Sequence, residues 1–532
     1  MNFDNLINQA NQALANNDIP KAIDFFKEAL NINETSNEIC IKLGILTLKI
    51  GDIKSSIEYF NKSIKLDPNS PQAFSNLGLI YLQLKNKDLS LKNFLKSLEL
   101  NPDNFNTNYN LANYFFFYND FENAEKYYLI SINLNPKNFL PYNNLFQIYD
   151  RSNHLKKLDQ LILKIINIFG NNKYVKFLQG LAEFRKKNYQ KTIEILKDLE
   201  FDSNDFQRNS LKTNIIAKCY DYIGLYSEAF KQFSLSNETI YKSHDKKFSK
   251  NNYKHLVNKR LNYFSNDCSK FDFDKTSYDK FNDPVFLIGF PRSGTTLLDT
   301  ILRTHKSINV MEEKPFVEEL VNDLNKHIDQ DLKNLSKLKK NSIIELRKIY
   351  FKKLNDLVNL DNKFVIIDKL PLNIIYVAEL NKIFPKAKFI LCLRNPYDVV
   401  LSCFMQSFVP NDAMSNFYNL KDASELYDSV MKLWTNYENI LTLNKHVVKY
   451  EDVVNNFDVT IKSLLNFLNL EWSDELREFY ITAEKRGIIN TPSYNQINMP
   501  LYNKSISRWK NYSDKFSDVS FILDKWIKIF QY

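Results

Sequence analysis

The stretch PVFLIGFPRSGTTLL, residues 284–298, decides the fold of the second half of the chain. An apolar run at residues 285–290 leads into the spacing Gly-x-x-x-x-Gly, from Gly289 to Gly294, and an apolar helical pattern follows. This strand, loop and helix match a P-loop, in which backbone N–H groups and a helix N-terminus bind phosphate oxygens. Thr295 stands where a P-loop carries the lysine that reaches the terminal phosphates of a nucleoside triphosphate. The loop therefore predicts an anion site for a shorter anionic group, with Arg292 supplying the positive charge.

Further strands and helices alternate after this loop. Strands are predicted at residues 309–311, 364–368, 388–393 and 447–450, and helices at residues 297–305, 373–384, 399–408 and 457–468. Alternation of this kind predicts a mostly parallel sheet covered by helices. Ligands of such sheets bind at the carboxyl ends of the strands, so we expect functional residues just after each run.

The first half of the chain repeats with a step of 34 residues. Proline recurs at Pro68, Pro102 and Pro136, where a second helix must stop because proline lacks an N–H group. Small residues keep the same step at Gly44, Gly78 and Ala112, and aromatic residues keep it at Phe26, Phe60, Phe94 and Tyr128. The pattern resembles the tetratricopeptide repeat, with weaker copies at residues 176–196 and 215–233. An ordinary helical bundle is the alternative, but its helices need not repeat at a fixed interval of residues, so the constant step disfavours it. The resemblance implies an all-α superhelix whose concave face binds a peptide or another protein.

Three segments are predicted: the repeat array at residues 1–240, a helical connector at residues 241–282, and an α/β P-loop-like domain at residues 283–532. The 71 basic and 62 acidic residues leave a charge of +9 that is spread along the chain, so a nucleic-acid partner is not expected. The five cysteines form no C-x-x-C pair, which favours free thiols in a reducing compartment. No secretory signal or membrane span is visible, and we expect a cytoplasmic protein.

A second motif, LCLRNPYDVVLSCFMQSF at residues 391–408, makes the resemblance specific. Arg394 ends a predicted strand, Asn395 and Pro396 suit the start of a helix, and Ser402 follows eight residues after the arginine. Together with the loop, this pattern resembles the sulfotransferase family, whose donor is 3′-phosphoadenylyl sulfate (PAPS). Over roughly residues 283–512 the motifs are similar to those of repeat-fused bacterial sulfotransferases related to protein-tyrosine sulfotransferases.

The resemblance implies a donor site and no metal. The loop would bind the 5′-phosphosulfate, and the second motif would bind the 3′-phosphate. The implied donor-binding residues are Arg292, Ser293, Gly294, Thr295, Thr296, Leu297, Arg394, Ser402, Tyr450 and Arg508. Gln406 is a departure, because some relatives carry another arginine there. The product would be 3′-phosphoadenosine 5′-phosphate.

The resemblance also assigns the chemistry. Glu313 would be the base that takes the proton of the acceptor hydroxyl, with Glu312 as a solvated neighbour and His305 as a rival base that better suits a capping role. Lys369 and Arg292 would stabilise the transferring sulfuryl group, and Ser493 would contact the donor near the leaving oxygen. The helical insert at residues 316–353 is expected to contribute to the acceptor wall.

The acceptor is left open between a protein tyrosine and a glycan or small alcohol. Two other classes of function remain possible at this stage. One is a P-loop nucleotide kinase or NTPase, which the missing lysine disfavours. The other is a non-catalytic repeat scaffold, which the presence of Glu313, Arg292 and Lys369 disfavours.

Overall fold

The computed structural model describes residues 2–244, 247–265, 280–355, 358, 363–485, 501 and 503–532. The chain divides into two compact units, residues 1–186 and 187–532. The predicted position Ser493 lies outside the described residues. Within the described ranges, no helix combines the length and apolar character that a bilayer crossing requires.

The first unit consists of antiparallel helix pairs. Its helices are α1 (Phe3–Ala15), α2 (Ile19–Ile32), α3 (Asn37–Lys49), α4 (Ile53–Leu66), α5 (Pro71–Gln83), α6 (Lys87–Leu100), α7 (Phe105–Phe117), α8 (Phe121–Leu134), α9 (Leu140–Arg151), α10 (Leu155–Phe169) and α11 (Lys173–Arg185). Helices α4, α6 and α8 end two residues before Pro68, Pro102 and Pro136, as the sequence predicts. The all-helical repeat architecture is therefore confirmed.

The 34-residue step reflects repeated close contacts between paired helices. A Cβ atom added at Gly44 would lie 2.7 Å from the ring of Phe60, and one added at Gly78 would lie 2.6 Å from the ring of Phe94. The buried hydroxyl of Ser56 also donates to the Gly44 carbonyl at 2.7 Å. Small residues recur because larger side chains would separate the helices.

The second unit begins with four helices: α12 (Tyr189–Leu196), α13 (Phe206–Tyr222), α14 (Tyr226–His244) and α15 (Lys250–Tyr263). Ala217 and Phe233 of α13 and α14 are fully buried in the same apolar cluster as Phe286 and Phe404. The side chains of Asn237 in α14 and Asn214 in α13 also donate hydrogen bonds to the carbonyl oxygens of Phe404 and Met405, at the carboxyl end of the helix Pro396–Met405. The predicted array boundary at residue 240 thus falls inside this compact unit.

A five-stranded sheet organises the rest of the unit. Its strands are β1 (Val285–Gly289), β2 (Ile308–Glu312), β3 (Val365–Lys369), β4 (Lys388–Leu393) and β5 (Asn444–Lys449). The order is β2-β3-β1-β4-β5, and every described strand pair is parallel. The helices are α16 (Thr295–Arg303), α17 (Phe316–His327), α18 (Lys340–Asn355), α19 (Val377–Ile383), α20 (Pro396–Met405), α21 (Leu420–Ile440), α22 (Tyr450–Asn455), α23 (Phe457–Leu468), α24 (Phe479–Lys485) and α25 (Ser520–Ile529).

Both faces of the sheet are buried. Phe286 and Ile288 of β1 point into one apolar cluster, and Val285 and Leu287 point into another on the opposite face. The α/β domain with a parallel sheet is confirmed. Several predicted elements differ in detail; the helix expected at residues 399–408, for example, is α20, which starts and ends three residues earlier. The helix expected at residues 373–384 is a 3₁₀ turn (Pro371–Tyr376) followed by α19. Strand β5 starts three residues earlier than expected; its first residues are polar and largely exposed, so the apolar pattern did not include them.

Candidate active site

The loop after β1 forms a tight backbone cradle at the amino terminus of α16. Arg292 and Gly294 have positive φ angles of 71° and 99°. A Cβ atom at Gly294 would lie 2.9 Å from Cδ2 of Tyr450, and one at Gly289 would lie 2.7 Å from the Cys392 carbonyl oxygen. The buried Ser293 hydroxyl has no hydrogen-bond partner among the described residues. The loop therefore presents a free hydroxyl and a helix N-terminus to a ligand, as an anion site requires.

The two predicted anion motifs form one continuous site. Arg394 follows β4 and is 7% exposed, and its Nη1 donates to the Arg292 carbonyl oxygen at 3.2 Å. Arg292 Nε in turn donates to the Ser402 hydroxyl at 3.0 Å. The Arg394 guanidinium lies 4.9 Å from the centre of the Tyr450 ring. Its buried Nε has no hydrogen-bond partner within the described ranges. One ligand can therefore contact both arginines.

The start of α20 explains how Arg394 is held at the sheet edge. The Asn395 side chain accepts a hydrogen bond from the Tyr397 N–H, and Pro396 occupies the first turn of the helix. The Glu451 carboxylate accepts from the Asn395 N–H at 3.0 Å. Burial raises the pKa of Glu451 above its ordinary value. The prediction that Asn395 caps the amino terminus of α20 is confirmed.

Arg508 lies against helix α13. Its Nη2 is 2.5 Å from Oδ2 of Asp221, and the Tyr512 hydroxyl donates to the other oxygen of the same carboxylate at 2.6 Å. Burial lowers the pKa of Arg508, but the Asp221 charge more than offsets this effect, so that the pKa lies above its ordinary value. Arg508 is thus a fixed cation, and its predicted contact with the donor stays a prediction.

Sequence reasoning missed a further cation, Lys218 of α13. Burial, together with the positive charges of Arg292 and Arg508, lowers the pKa of Lys218 to about 8. The lysine is therefore close to the predicted donor-binding arginines. No sequence signal marked it, because α13 lies outside the motifs and approaches them only through tertiary packing.

A second charged group lies at the carboxyl ends of β2 and β3. Lys369 Nζ is 2.8 Å from Glu313 Oε1, 3.5 Å from Glu312 Oε1 and 3.8 Å from Asp299 Oδ2. The Lys369 side chain is fully buried, whereas the Glu313 side chain is 34% exposed and that of Glu312 only 7% exposed. Glu313 is the carboxylate of this group that can meet an incoming acceptor. Glu312, expected to be solvated, is buried instead.

The turn after β2 aims Glu313 at the lysine. Glu313 has a positive φ of 49°, and its N–H donates to the Lys369 carbonyl oxygen at 2.8 Å. In the parallel ladder this bond belongs to the pairing of Glu312 with Lys369, the last pair between β2 and β3. The backbone and the side chain of Glu313 are thus both fixed to Lys369.

His305 is held elsewhere. Its Nδ1 accepts a hydrogen bond from the Ser307 N–H at 3.1 Å, so Nε2 carries the proton and lies 3.1 Å from the Glu471 carbonyl oxygen. His305 also follows the carboxyl end of α16, away from the loop at the amino end. The geometry favours the capping role over a role as a base.

The remaining predicted positions are more peripheral. Gln406 Nε2 donates to the Ser407 carbonyl oxygen at 3.1 Å and shares a small surface pocket with Ser210 and Asn237. The insert forms α17 and α18, whose apolar sides, including Leu320 and Leu346, are buried in the domain core. In the described part of the chain, no group of His, Cys, Asp and Glu side chains is arranged to hold a metal ion.

The parallel α/β domain thus carries a P-loop-like cradle, two arginines joined by a hydrogen bond, and a carboxylate–lysine pair at the carboxyl ends of its strands. This arrangement suits an anionic ligand. Comparison with known sequences finds family models that match parts of the chain. Residues 284–474 match the model of the Sulfotransferase family, and residues 71–104 and 46–85 match models of the tetratricopeptide repeat. The chain thus carries a segment that matches the Sulfotransferase family and, before it, segments that match the tetratricopeptide repeat, as the motifs indicated.

One curated relative is an uncharacterized protein of Aquifex aeolicus (strain VF5), 29% identical over 252 residues. The match covers 46% of this chain and spans only 33% of the relative's length. Among solved structures, a tetratricopeptide repeat protein from Parabacteroides merdae is 11% identical, with a TM-score of 0.36, over 44% of this chain and 93% of its own. Pseudomonas aeruginosa pilF is 16% identical, with a TM-score of 0.32, over 40% of this chain and 93% of its own.

Proposed function

We propose that the chain is a sulfotransferase that moves a sulfuryl group from PAPS to a hydroxyl acceptor. The observation that carries this proposal is the direct link between the two anion motifs, in which Arg394 contacts the Arg292 carbonyl and Arg292 contacts Ser402. An adenosine with anions at both its 5′ and 3′ ends needs two such groups within the reach of one nucleotide. The absence of the P-loop lysine at Thr295 disfavours a nucleoside triphosphate.

The residues present fit this donor. Ser293 Oγ and Arg394 Nε are buried polar atoms without a described hydrogen-bond partner, and buried polar groups usually have one. The loop backbone and the N-terminus of α16 suit the 5′ group, with Thr295, Thr296 and Leu297 in the first turn. Arg394 and Ser402 suit the 3′-phosphate, and the Tyr450 ring, which contacts the Arg394 guanidinium, would border the nucleotide.

Glu313 and Lys369 would carry the chemistry. PAPS, when bound, would supply the sulfuryl group as an electrophile. Glu313 Oε1 would accept the proton of the acceptor hydroxyl, as positioned carboxylates do. Lys369 Nζ, which holds Glu313 at 2.8 Å, would orient that carboxylate and offset the negative charge that develops during transfer. Arg292 would help stabilise the same charge, and Ser493 is kept as a proposed donor contact.

The repeats would select the protein partner or acceptor. Stacked repeats of this type offer a concave surface to peptides or proteins. A protein tyrosine held by the repeats, or a glycan or small alcohol that enters the site directly, both fit a carboxylate base. Transfer of label from PAPS to a panel of peptide tyrosines, glycans and small alcohols would separate these acceptors.

Binding of 3′-phosphoadenosine 5′-phosphate to the purified chain tests the donor. We expect calorimetry to detect binding to the wild type and a loss of at least about tenfold in affinity in Arg394→Ala, because a charge-assisted hydrogen bond is removed. Arg477→Ala is the matched control, since Arg477 is half-exposed and pairs with Asp458 and Asp474 at the surface. Absence of binding to the wild type, or equal affinity in Arg394→Ala, would overturn the proposal.

A further inference from the structure

Helix α13 makes two contacts, both from one of its faces, with the part of the domain that carries the predicted donor-binding residues. The buried Asn214 side chain donates to the Met405 carbonyl oxygen at 3.2 Å, at the carboxyl end of α20. One turn beyond Lys218, Asp221 accepts from Arg508 and Tyr512. Residues four and then three apart lie on one side of a helix, so Lys218 lies between these two anchors and faces the same way.

That face of α13 meets the predicted 3′-phosphate motif. Ser402 precedes Met405 by three residues on α20, which places both on one side of that helix. Ser402 also accepts a hydrogen bond from Arg292. Burial, together with the charges of Arg292 and Arg508, lowers the pKa of Lys218. Lys218 therefore belongs to the group of cations around Ser402 and is not a surface residue of the repeats.

Lys218 lacks a counter-charge among the described residues. The positive charges of Arg292 and Arg508 both act on it, and the nearby Asp221 carboxylate is bound to Arg508. No described residue gives Lys218 Nζ an ion pair or a hydrogen bond. A dianion placed among these groups would be attracted by all three cations and would favour the charged form of the lysine.

We propose that Lys218 binds the 3′-phosphate of the donor, so that a helix preceding the sulfotransferase-family match completes the donor site. This inference rests on the proposed function. The family match begins at residue 284, more than 60 residues after Lys218, and does not include α13. The helix would thereby couple the segment that leads out of the repeats to donor affinity.

The full-length chain tests this inference by titration with two nucleotides, 3′-phosphoadenosine 5′-phosphate and adenosine 5′-monophosphate, which lacks the 3′-phosphate. We expect Lys218→Met to weaken binding of the bisphosphate by about tenfold or more and to leave the monophosphate affinity unchanged. Lys218→Arg should retain the bisphosphate affinity. Lys231→Met, which removes one exposed lysine of α14 that pairs with Glu228, is the control for net charge.

Proton uptake gives a readout that needs no destabilising variant. The charged and titratable groups that act on Lys218 are Arg292, Arg508 and the Cys219 thiol, and with its pKa of about 8 the lysine is largely neutral at pH 8.5. Calorimetry in two buffers of different ionisation enthalpy should show that the wild type takes up a fraction of one proton on binding the bisphosphate. Lys218→Arg should lose this uptake while keeping its affinity.

The outcomes separate the two proposals. If the wild type binds neither nucleotide, the proposed function fails. If the wild type binds the bisphosphate and Arg394→Ala abolishes binding, but Lys218→Met keeps full affinity and the wild type takes up no proton, the donor site stands and the role of Lys218 is overturned. Equal weakening of both nucleotides in Lys218→Met would also overturn it, because a phosphate-binding residue must act on the 3′ group.

Discussion

Glu312 and Glu313 are adjacent in sequence, and both approach Lys369, but only Glu313 is open to an acceptor. We expect Glu313→Gln to lower kcat by about 10²-fold or more, because the amide cannot accept the hydroxyl proton. The affinity for 3′-phosphoadenosine 5′-phosphate should stay within a factor of about two, since Glu313 lies beside the lysine and makes no described contact with Arg394. Steady-state kinetics with labelled PAPS and calorimetry measure the two quantities.

Glu312→Gln is the matched control for this variant. It removes a carboxylate charge 3.5 Å from the same lysine, but from a side chain that is only 7% exposed. We expect a smaller fall in kcat than in Glu313→Gln. Full activity in Glu313→Gln, or a larger loss in Glu312→Gln, would show that the base is assigned to the wrong residue.

Asp368, the residue before Lys369, should make stability depend on pH. Burial raises its pKa to about 7, while Tyr350 donates a hydrogen bond to it at 2.8 Å. The unfolded pKa is about 4, so the folded chain binds the proton more tightly, and this contribution is lost as pH rises from about 4 through 7. Asp368→Asn should flatten the dependence over this window and gain about 2–4 kcal/mol at pH 8 relative to the wild type.

Urea unfolding of the wild type and of Asp368→Asn at pH 5 and pH 8 measures this effect. The asparagine retains an oxygen that can accept the Tyr350 hydroxyl, so the variant changes the charge with little change in volume. An equal loss of stability at both pH values would contradict the prediction, because it would indicate a packing defect.

Among the elements, the loop after β1 should need the backbone conformation of Gly294 both for stability and for nucleotide binding. Gly294→Ala adds a Cβ at a φ of 99° and only 2.9 Å from the Tyr450 ring, which must then move away from Arg394. We expect a loss of about 1–3 kcal/mol in the free energy of unfolding and at least about tenfold weaker bisphosphate binding. Denaturant unfolding and calorimetry check the two effects.

Gly224→Ala is the control for backbone strain. Gly224 also has a positive φ, 82°, but no heavy atom lies within 4 Å of an added Cβ. The Gly224→Ala variant should lose about 1–2 kcal/mol of stability, the cost of a side chain at a left-handed φ, and keep its nucleotide affinity. If both variants bind equally well, the contact between the loop and Tyr450 does not shape the donor site.

The sequence predicts most elements because their signals are local. The 34-residue step places α3 to α8, and the apolar runs place β1 and β4 to within one residue. Glu313 and Lys369 were assigned from the family resemblance and from their places just after predicted strands, and the structure brings their side chains to 2.8 Å. Lys218 could not be predicted, because its role depends on the packing of α13 against α20, which no local pattern records.

In the molecule as a whole, the last repeat-like helices and the α/β domain belong to one compact unit. Helices α13 and α14 carry the spacing of weak repeats, yet they belong to the compact unit of residues 187–532. Phe233 is fully buried in the core of that unit, and the partly buried Phe230 stacks on Phe404 of α20 at 4.8 Å. Repeat-like helices are thus part of the core of the α/β domain.

This arrangement predicts which fragments of the chain fold on their own. A fragment of residues 187–532 should fold and bind 3′-phosphoadenosine 5′-phosphate with wild-type affinity. A fragment of residues 241–532, which starts at the array boundary expected from the sequence, should be unstable, because it loses the buried Phe233, worth about 3–5 kcal/mol, and the Asp221 partner of Arg508. Circular dichroism, gel filtration and calorimetry compare the two. A folded 241–532 fragment with full affinity would show that the domain begins at residue 241 and that α13 contributes nothing to the donor site.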